Sequence, residues 1–345
     1  MKIKPIVTSL KIKKLFGRYD FYSDFNELTV IVGKNGLGKT TILKIIFELI
    51  TGKVKLDYPG ICESIELELG NGEFICYGAI NDKAIKSISK RSITEAAHYS
   101  DNIIRSINKI LDENDLTNIK DKDKDNLVDL FISSIVNKEG FIEKAQEYVV
   151  KGLSENKDSF FVNRLKRDKL NQSINVRYIS TVSISANSVN NLDIGNSVNK
   201  NILDLAINEE LQFLQKKGDI KLIEGFKKQI NIFLKESGKK VEFTEEQWIF
   251  KVKNGEPLTI EHLSSGERQL IYILATTANT CGKPTLFLMD EPEVSLHLSW
   301  QEKIIDAIMN INPEMQIIAV THSPGIVMNG HMDVYIEMNE LLKGI

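Results

Sequence analysis

Apolar and polar side chains alternate along residues 2–13, a period of two that predicts a strand with one buried face. Residues 27–32 are a short β-branched run, which predicts a fully buried strand. A glycine-punctuated turn follows at 33–38. Residues 39–50 then place apolar side chains at helical spacing. Two alternating runs, 61–69 and 73–77, flank Asn71 and Gly72, the sequence signal for a hairpin with a tight turn.

From about residue 82 to 172 the chain turns polar and charged, with helical patterns near 92–111, 126–136 and 139–152. The alternating Asp and Lys residues of 121–125 predict a solvated loop. A strand is predicted at 176–180. Residues 199–236 carry a helical pattern with a break at Gly218, and residues 243–252 predict short strands ending in an Asn254–Gly255 turn. The last stretch returns to an α/β rhythm: helix 265–279, apolar strand 285–290, helix 298–310, buried strand 315–320 and a last strand at 334–336. No repeat is present, and no sustained heptad that would give a long coiled-coil arm.

This pattern predicts an α/β protein in three segments: residues 1–81, a mostly helical insertion at 82–172, and residues 173–345 with the helical stretch 199–236 inside them. The insertion and that helical stretch are expected to act as a lid or partner-specific lobe.

Composition narrows the class. The 345 residues are 42% hydrophobic and 26% charged, with a net charge of −3, so there is ample material for a core and no overall basic character for nucleic acid. Cys62, Cys76 and Cys281 are scattered, as expected of reduced cysteines. Neither a leader nor a stretch of about 20 apolar residues is visible, so a soluble cytoplasmic protein without membrane contact is expected.

Residues Gly33, Lys34, Asn35, Gly36, Leu37, Gly38, Lys39 and Thr40, followed by Thr41, match GxxxxGK(S/T) at each defined position. The motif lies between a predicted strand and a predicted helix, the context its chemistry needs. Its glycines let backbone N–H groups converge on phosphate oxygens, and the helix N-terminus adds partial positive charge. Lys39 is expected to pair with the β- and γ-phosphates of ATP, and Thr40 to offer its hydroxyl to Mg²⁺.

Four apolar residues, Leu286 to Met289, precede Asp290, Glu291 and Pro292. A buried parallel strand would deliver Asp290 to the carboxyl edge of the sheet, where it can ligate Mg²⁺. Glu291 is then placed to activate the attacking water.

Leu263, Ser264, Ser265, Gly266, Glu267, Arg268 and Gln269 resemble the signature motif of ABC ATPases, and they precede the acidic strand at the family's spacing. Ser264 and Glu267 also make a capping box, so the motif starts a helix in any case. Thr321, His322, Ser323 and Pro324 look like the H-switch, whose histidine contacts the γ-phosphate. The run from Glu293 to Gln301, with Leu296, His297 and Trp300, is similar to the D-loop of the RecF/OLD-like branch rather than that of transporter ATPases. His297 is expected at a subunit contact or helix start.

The resemblance implies an ABC-type P-loop ATPase head of the ABC/SMC-like kind: a mixed and largely parallel sheet flanked by helices, with N-terminal antiparallel strands. It also implies ATP and Mg²⁺ as cofactors, Lys39, Glu291 and His322 as catalytic residues, and Thr40 and Asp290 as metal ligands. Residues 33–41 with Ser264, Ser265, Gly266 and Glu267 would bind nucleotide, the last four from a second copy of the chain. One departure stands out. The family carries a glutamine after the strand at 176–180, and this chain has Ser180, Thr181 and Ser183 there. Phe16, Tyr19 and Tyr22 are candidates to stack on adenine.

Three roles remain open. The head controls a separate effector, a nuclease or toxin, in a bacterial defence-type system; too few residues follow His322 for a fused nuclease domain. Or it clamps DNA, using Lys2, Lys4, Lys11, Lys13 and Lys14 or the cluster Arg164, Lys166, Arg167 and Lys169. Or it is an ATP-dependent assembly module with negligible turnover.

Overall fold

The computed structural model describes residues 4–52, 56, 58–78, 173–180, 191–193, 199–244, 247–252, 255 and 257–344. The helical patterns at 92–152, the 121–125 loop and the cluster 164–169 lie outside them. In chain order the elements are β1 (Val7–Leu15), β2 (Tyr19–Asp24), β3 (Leu28–Val32), α1 (Lys39–Thr51), β4 (Ser64–Leu69), β5 (Phe74–Gly78), β6 (Asn175–Ser180), β7 (Asn191–Asp193), β8 (Asn199–Asn201), α2 (Ile202–Lys217), α3 (Ile220–Leu234), β9 (Lys239–Thr244), β10 (Gln247–Val252), β11 (Pro257–Leu258), α4 (Ser265–Thr280), β12 (Thr285–Asp290), α5 (Leu298–Ile311), β13 (Met315–Thr321) and β14 (Tyr335–Glu337). They fall into two compact units, one of Met1–Thr8, Tyr22–Asp57 and Asn163–Gly344, the other of Ser9–Phe21 and Tyr58–Val162.

The first unit is built on a five-stranded sheet in the order β14-β3-β13-β12-β6, parallel at each of its four pairings. Strands β3, β12 and β13 are buried along their whole length, as parallel strands covered on both faces must be. Register aligns their carboxyl ends. Asp290 stands opposite Val320 and Ser180, and Thr321 stands opposite Val32. That edge is where a parallel sheet presents its ligand-binding loops. Because β13 lies between β3 and β12, the residue after it, His322, emerges between the phosphate loop and the acidic strand end.

Helix α2 buries Leu203, Ile207, Leu211 and Leu214, and α3 buries Ile223, Phe226, Ile230 and Phe233, both at helical spacing. These side chains share one apolar core with Leu270, Ile273 and Leu274 of α4 and with Phe287 and Ile317 of the sheet. The 199–236 stretch is therefore part of the head's core, not a detached lobe. Sequence pattern alone misassigns it because an amphipathic stripe looks the same whether it meets a sheet or a partner. Gly218, at φ 62, makes the predicted break between the two helices. Strands β9, β10 and β11 form a small antiparallel sheet seated on α3, where Asn231 bonds both the N–H and the carbonyl of Val241.

In the second unit, Tyr19–Phe21 of β2, Ser9–Leu15 of β1, β4 and β5 lie side by side in that order. The hairpin turn falls where Asn71 and Gly72 predict it, with Gly72 at φ 81. Strand β2 is not predicted by the alternation in the sequence. It follows a turn in which Lys14, Phe16 and Gly17 all take positive φ.

Candidate nucleotide-binding site

The phosphate loop leaves the end of β3 and enters α1 directly. Gly36 and Gly38 take φ of 82° and 90°, a region in which a side chain is strained. A Cβ at Gly33 would come 2.7 Å from that of Met338. Gly38 is the N-cap of α1 and supplies no side-chain acceptor, so the first-turn N–H groups keep their affinity for an anion. Lys39 is buried, and its ammonium donates to the carbonyls of Gly33 at 2.8 Å and Lys34 at 3.2 Å. Asn35 is exposed, while Leu37 and Thr41 are half-buried on either side of the loop's end.

Thr40 donates its hydroxyl to Asp290 Oδ1 at 2.8 Å. Neighbouring corners of a Mg²⁺ octahedron, with metal–oxygen distances of about 2.1 Å, lie about 3 Å apart. The pair is thus spaced as two cis ligands and offers the hard oxygens that Mg²⁺ prefers. On the other oxygen of the same carboxylate, Asp290 Oδ2 accepts from Tyr178 at 3.0 Å and from Ser180 at 3.4 Å.

Glu291 follows at φ 52, in left-handed backbone that a non-glycine residue rarely adopts. This turn points its carboxyl into the edge of the sheet. Its Oε1 lies 3.0 Å from His322 Nε2 and 3.8 Å from the Lys39 ammonium, and its Oε2 accepts from the His322 backbone N–H at 3.0 Å. Burial, then the neighbouring Glu293, pushes the Glu291 carboxyl up to about 8. Burial and the Lys39 charge hold the His322 imidazole below its usual range, and burial likewise lowers Lys39.

Glu293 anchors the histidine loop. Its Oε1 accepts from the Thr321 hydroxyl and from the backbone N–H groups of His322 and Ser323, the latter two at 3.0 and 3.2 Å. The D-loop is tied in as well. Gln301 accepts from Ser323 at 2.7 Å and donates to the Leu296 carbonyl at 2.9 Å.

The signature residues have a different set of partners. Ser264 caps α4 by accepting from the Glu267 N–H at 3.3 Å, and Glu267 accepts from the Ser264 N–H at 2.7 Å, completing the box. Glu267 is 1% exposed, yet its carboxyl sits below the usual range. Burial alone would raise it. Lys239 at 2.8 and 2.9 Å and Ser237 at 2.6 Å outweigh that. At Gly266 a Cβ would lie 2.5 Å from the Ser295 carbonyl oxygen, so only glycine lets α4 meet the D-loop so closely. Gln269 donates to the Pro292 carbonyl at 2.8 Å.

Comparison with known proteins gives this geometry a family. The model described as "AAA domain, putative AbiEii toxin, Type IV TA system" matches residues 87–329. The chain belongs to this family. The matched span holds the signature residues, Asp290, Glu291 and His322, while the phosphate loop precedes it. Over 351 aligned residues the chain is 27% identical to the Septu protein PtuA of Bacillus thuringiensis, across 98% of this chain and 75% of that protein. It is 31% identical over 101 residues to the Retron Vc95 probable ATPase of Vibrio cholerae serotype O1 biovar El Tor, 26% of this chain and 20% of that one. Among solved structures, an SMC head bound to the C-winged helix domain of ScpA aligns over 99% of this chain and 98% of its own, at 13% identity and a TM-score of 0.45. The SMC head domain from Thermotoga maritima aligns over 95% and 92%, at 13% and 0.43. With its phosphate loop and parallel sheet, this member of the family has a P-loop nucleotide-binding fold.

Several contacts in this family member escaped the sequence. Lys239 has no motif around it, and only the fold brings it to Glu267. Tyr178 sits mid-strand, with no signal beyond its place before the missing glutamine. Glu236 joins the turn after α3 to α5, accepting from Trp300 at 2.8 Å and Lys303 at 3.0 Å. His297 stands at the start of α5 without a side-chain cap bond, its ring edge-on to Trp300 at 5.4 Å. Of the adenine candidates, Tyr22 bonds Asp24 at 2.6 Å, and Phe16 sits in the turn before β2. Lys11 and Lys13 lie on the exposed face of β1, and Lys14 pairs with Glu63 at 2.5 Å. Among the described residues no helix is long and apolar enough to cross a membrane.

Proposed function

We propose that this chain binds and hydrolyses ATP, that its site closes only when Ser264, Ser265, Gly266 and Glu267 of a second copy reach the γ-phosphate, and that closure controls a separate effector in a bacterial defence system. The convergence of Lys39, Thr40, Asp290, Glu291 and His322 on one sheet edge carries this reading. The signature residues, engaged instead with Ser237, Lys239 and the D-loop, support completion by a partner. Likeness to a Septu protein and to a retron's probable ATPase supports the defence setting.

In this role Lys39 exchanges its two carbonyl contacts for phosphate oxygens, which are stronger acceptors. Glu291 accepts a proton from the attacking water. His322 lies beside Lys39, where it reads the terminal phosphate. Mg²⁺ held by Thr40 and Asp290 would neutralise charge on the β- and γ-phosphates.

The test is the mass of Glu291→Gln by light scattering with Mg²⁺–ATP, with Mg²⁺–ADP and without nucleotide. A doubling seen only with ATP is expected, and Ser265→Arg in the same background should stay monomeric while still binding ATP. A mass unchanged by nucleotide, or normal dimerisation of the Ser265→Arg protein, would overturn the two-headed site.

A further inference from the structure

The strand beside the acidic one carries a feature that its motif does not explain. β6 pairs with β12 so that Ser180 stands opposite Asp290 and Tyr178 opposite Leu288. Two residues of strand cover about 6.6 Å, roughly the reach of a phenol from its own Cα. Tyr178 uses that reach. Its hydroxyl donates to Asp290 Oδ2 at 3.0 Å, while Ser180 approaches the same oxygen at 3.4 Å. The ring is steadied from the other side by Phe47 of α1, centroid to centroid 5.6 Å. Because α1 also carries Thr40, one helix positions both the hydroxyl on Asp290 Oδ1 and the ring behind the hydroxyl on Oδ2.

We propose that Tyr178 is a positioning residue for the metal-binding carboxylate: its hydroxyl holds Asp290 Oδ2, so that Oδ1 alone is presented beside Thr40. This rests on the Mg²⁺–ATP reading above. A carboxylate left unheld rotates about its last bond and can turn both oxygens to the metal or swing toward Lys39. The phenol removes that freedom without ligating anything itself. Groups that orient a ligand in this way typically change metal affinity by about 10- to 100-fold.

The experiment is binding of a fluorescent ADP analogue to the full chain, first in EDTA and then across a MgCl₂ titration. Tyr178→Phe keeps the ring and deletes only the oxygen. Its affinity in EDTA should match wild type within about twofold, while the Mg²⁺ concentration that half-saturates the metal-dependent gain rises about 10-fold. Ser180→Ala should shift it less, and Tyr178→Phe with Ser180→Ala should shift it most. Asp290→Asn is the control, expected to remove the Mg²⁺-dependent gain altogether. If Asp290→Asn keeps that gain, the Mg²⁺ site itself is misassigned. If Asp290→Asn loses it but Tyr178→Phe titrates like wild type, the role given to Tyr178 is overturned. An equal loss for Tyr178→Phe in EDTA and in Mg²⁺ also overturns it, since that marks a structural residue.

Discussion

The ammonium of Lys39 lies 2.9 Å from Nε2 of His322, a cation set against a ring that must be neutral to accept from it. The arrangement ties the phosphate loop to the histidine loop before any nucleotide is bound, and burial together with the Lys39 charge holds the imidazole below its usual range. Lys39→Ala should therefore do two things. It should abolish ATP binding, since each charge-assisted hydrogen bond to phosphate is worth about 1.5–3 kcal/mol. It should also raise the pKa of His322, followed by NMR of the ring protons. An imidazole that titrates as in wild type would show that the two do not touch.

Glu291 sets a pH dependence on stability. Its carboxyl titrates at about 8 in the folded chain against an ordinary value of 4.5. Between those values the folded state binds a proton that the unfolded state has released. This group's contribution is therefore full below about pH 4.5, is lost as pH rises, and is least favourable above about 8. Glu291→Gln removes the effect. In EDTA and without nucleotide its melting temperature should match wild type near pH 5 and exceed it by several degrees at pH 8. A difference that does not grow with pH would contradict the assignment.

Glu293 holds three donors of the histidine loop on one buried oxygen. Glu293→Ala removes that acceptor, while the His322 N–H keeps Glu291 Oε2 and the Ser323 N–H keeps the Thr321 hydroxyl. What is lost is hydrogen bonding to a charged group, worth about 1.5–3 kcal/mol, and urea denaturation should show a loss of about that size. Hydrogen exchange at the His322 and Ser323 amides should accelerate ahead of the rest of β13. Unchanged exchange there would mean that the loop is held by other contacts.

Lys239 and Glu267 should behave as a coupled pair. Lys239→Ala leaves a carboxylate buried beneath the signature helix with only Ser237 and the Ser264 N–H to satisfy it. A destabilisation of about 2–4 kcal/mol is expected, near the range for breaking a buried pair. Glu267→Gln in the same chain should recover much of it, because the uncompensated charge is gone. Additive losses in the double variant would show that the pair does not interact.

Much of the fold was legible locally. The limits of β12 follow from four apolar residues ending in acid. The start of α4 follows from Ser264 and Glu267, whose box closes within four residues. The α2–α3 break follows from a glycine that alone takes positive φ without strain. These are properties of neighbouring residues, and neighbours are what a sequence displays. β2 was not legible, because the turn before it uses positive φ at Lys14 and Phe16, residues that carry no turn signal.

The sequence by itself determined the chemistry on offer: a loop able to cradle phosphate, an acid pair at a strand end, a capped helix and a histidine after the next strand. Only the tertiary structure decided how these meet. Placing β13 between β3 and β12 brings His322 between Lys39 and Glu291, and pairing β6 with β12 carries the Tyr178 hydroxyl to Asp290. Lys239 and Glu267 likewise become partners only when α3 and α4 pack around one core. Strand order and helix packing are set by summed burial over many distant residues, so no short stretch of the chain records them.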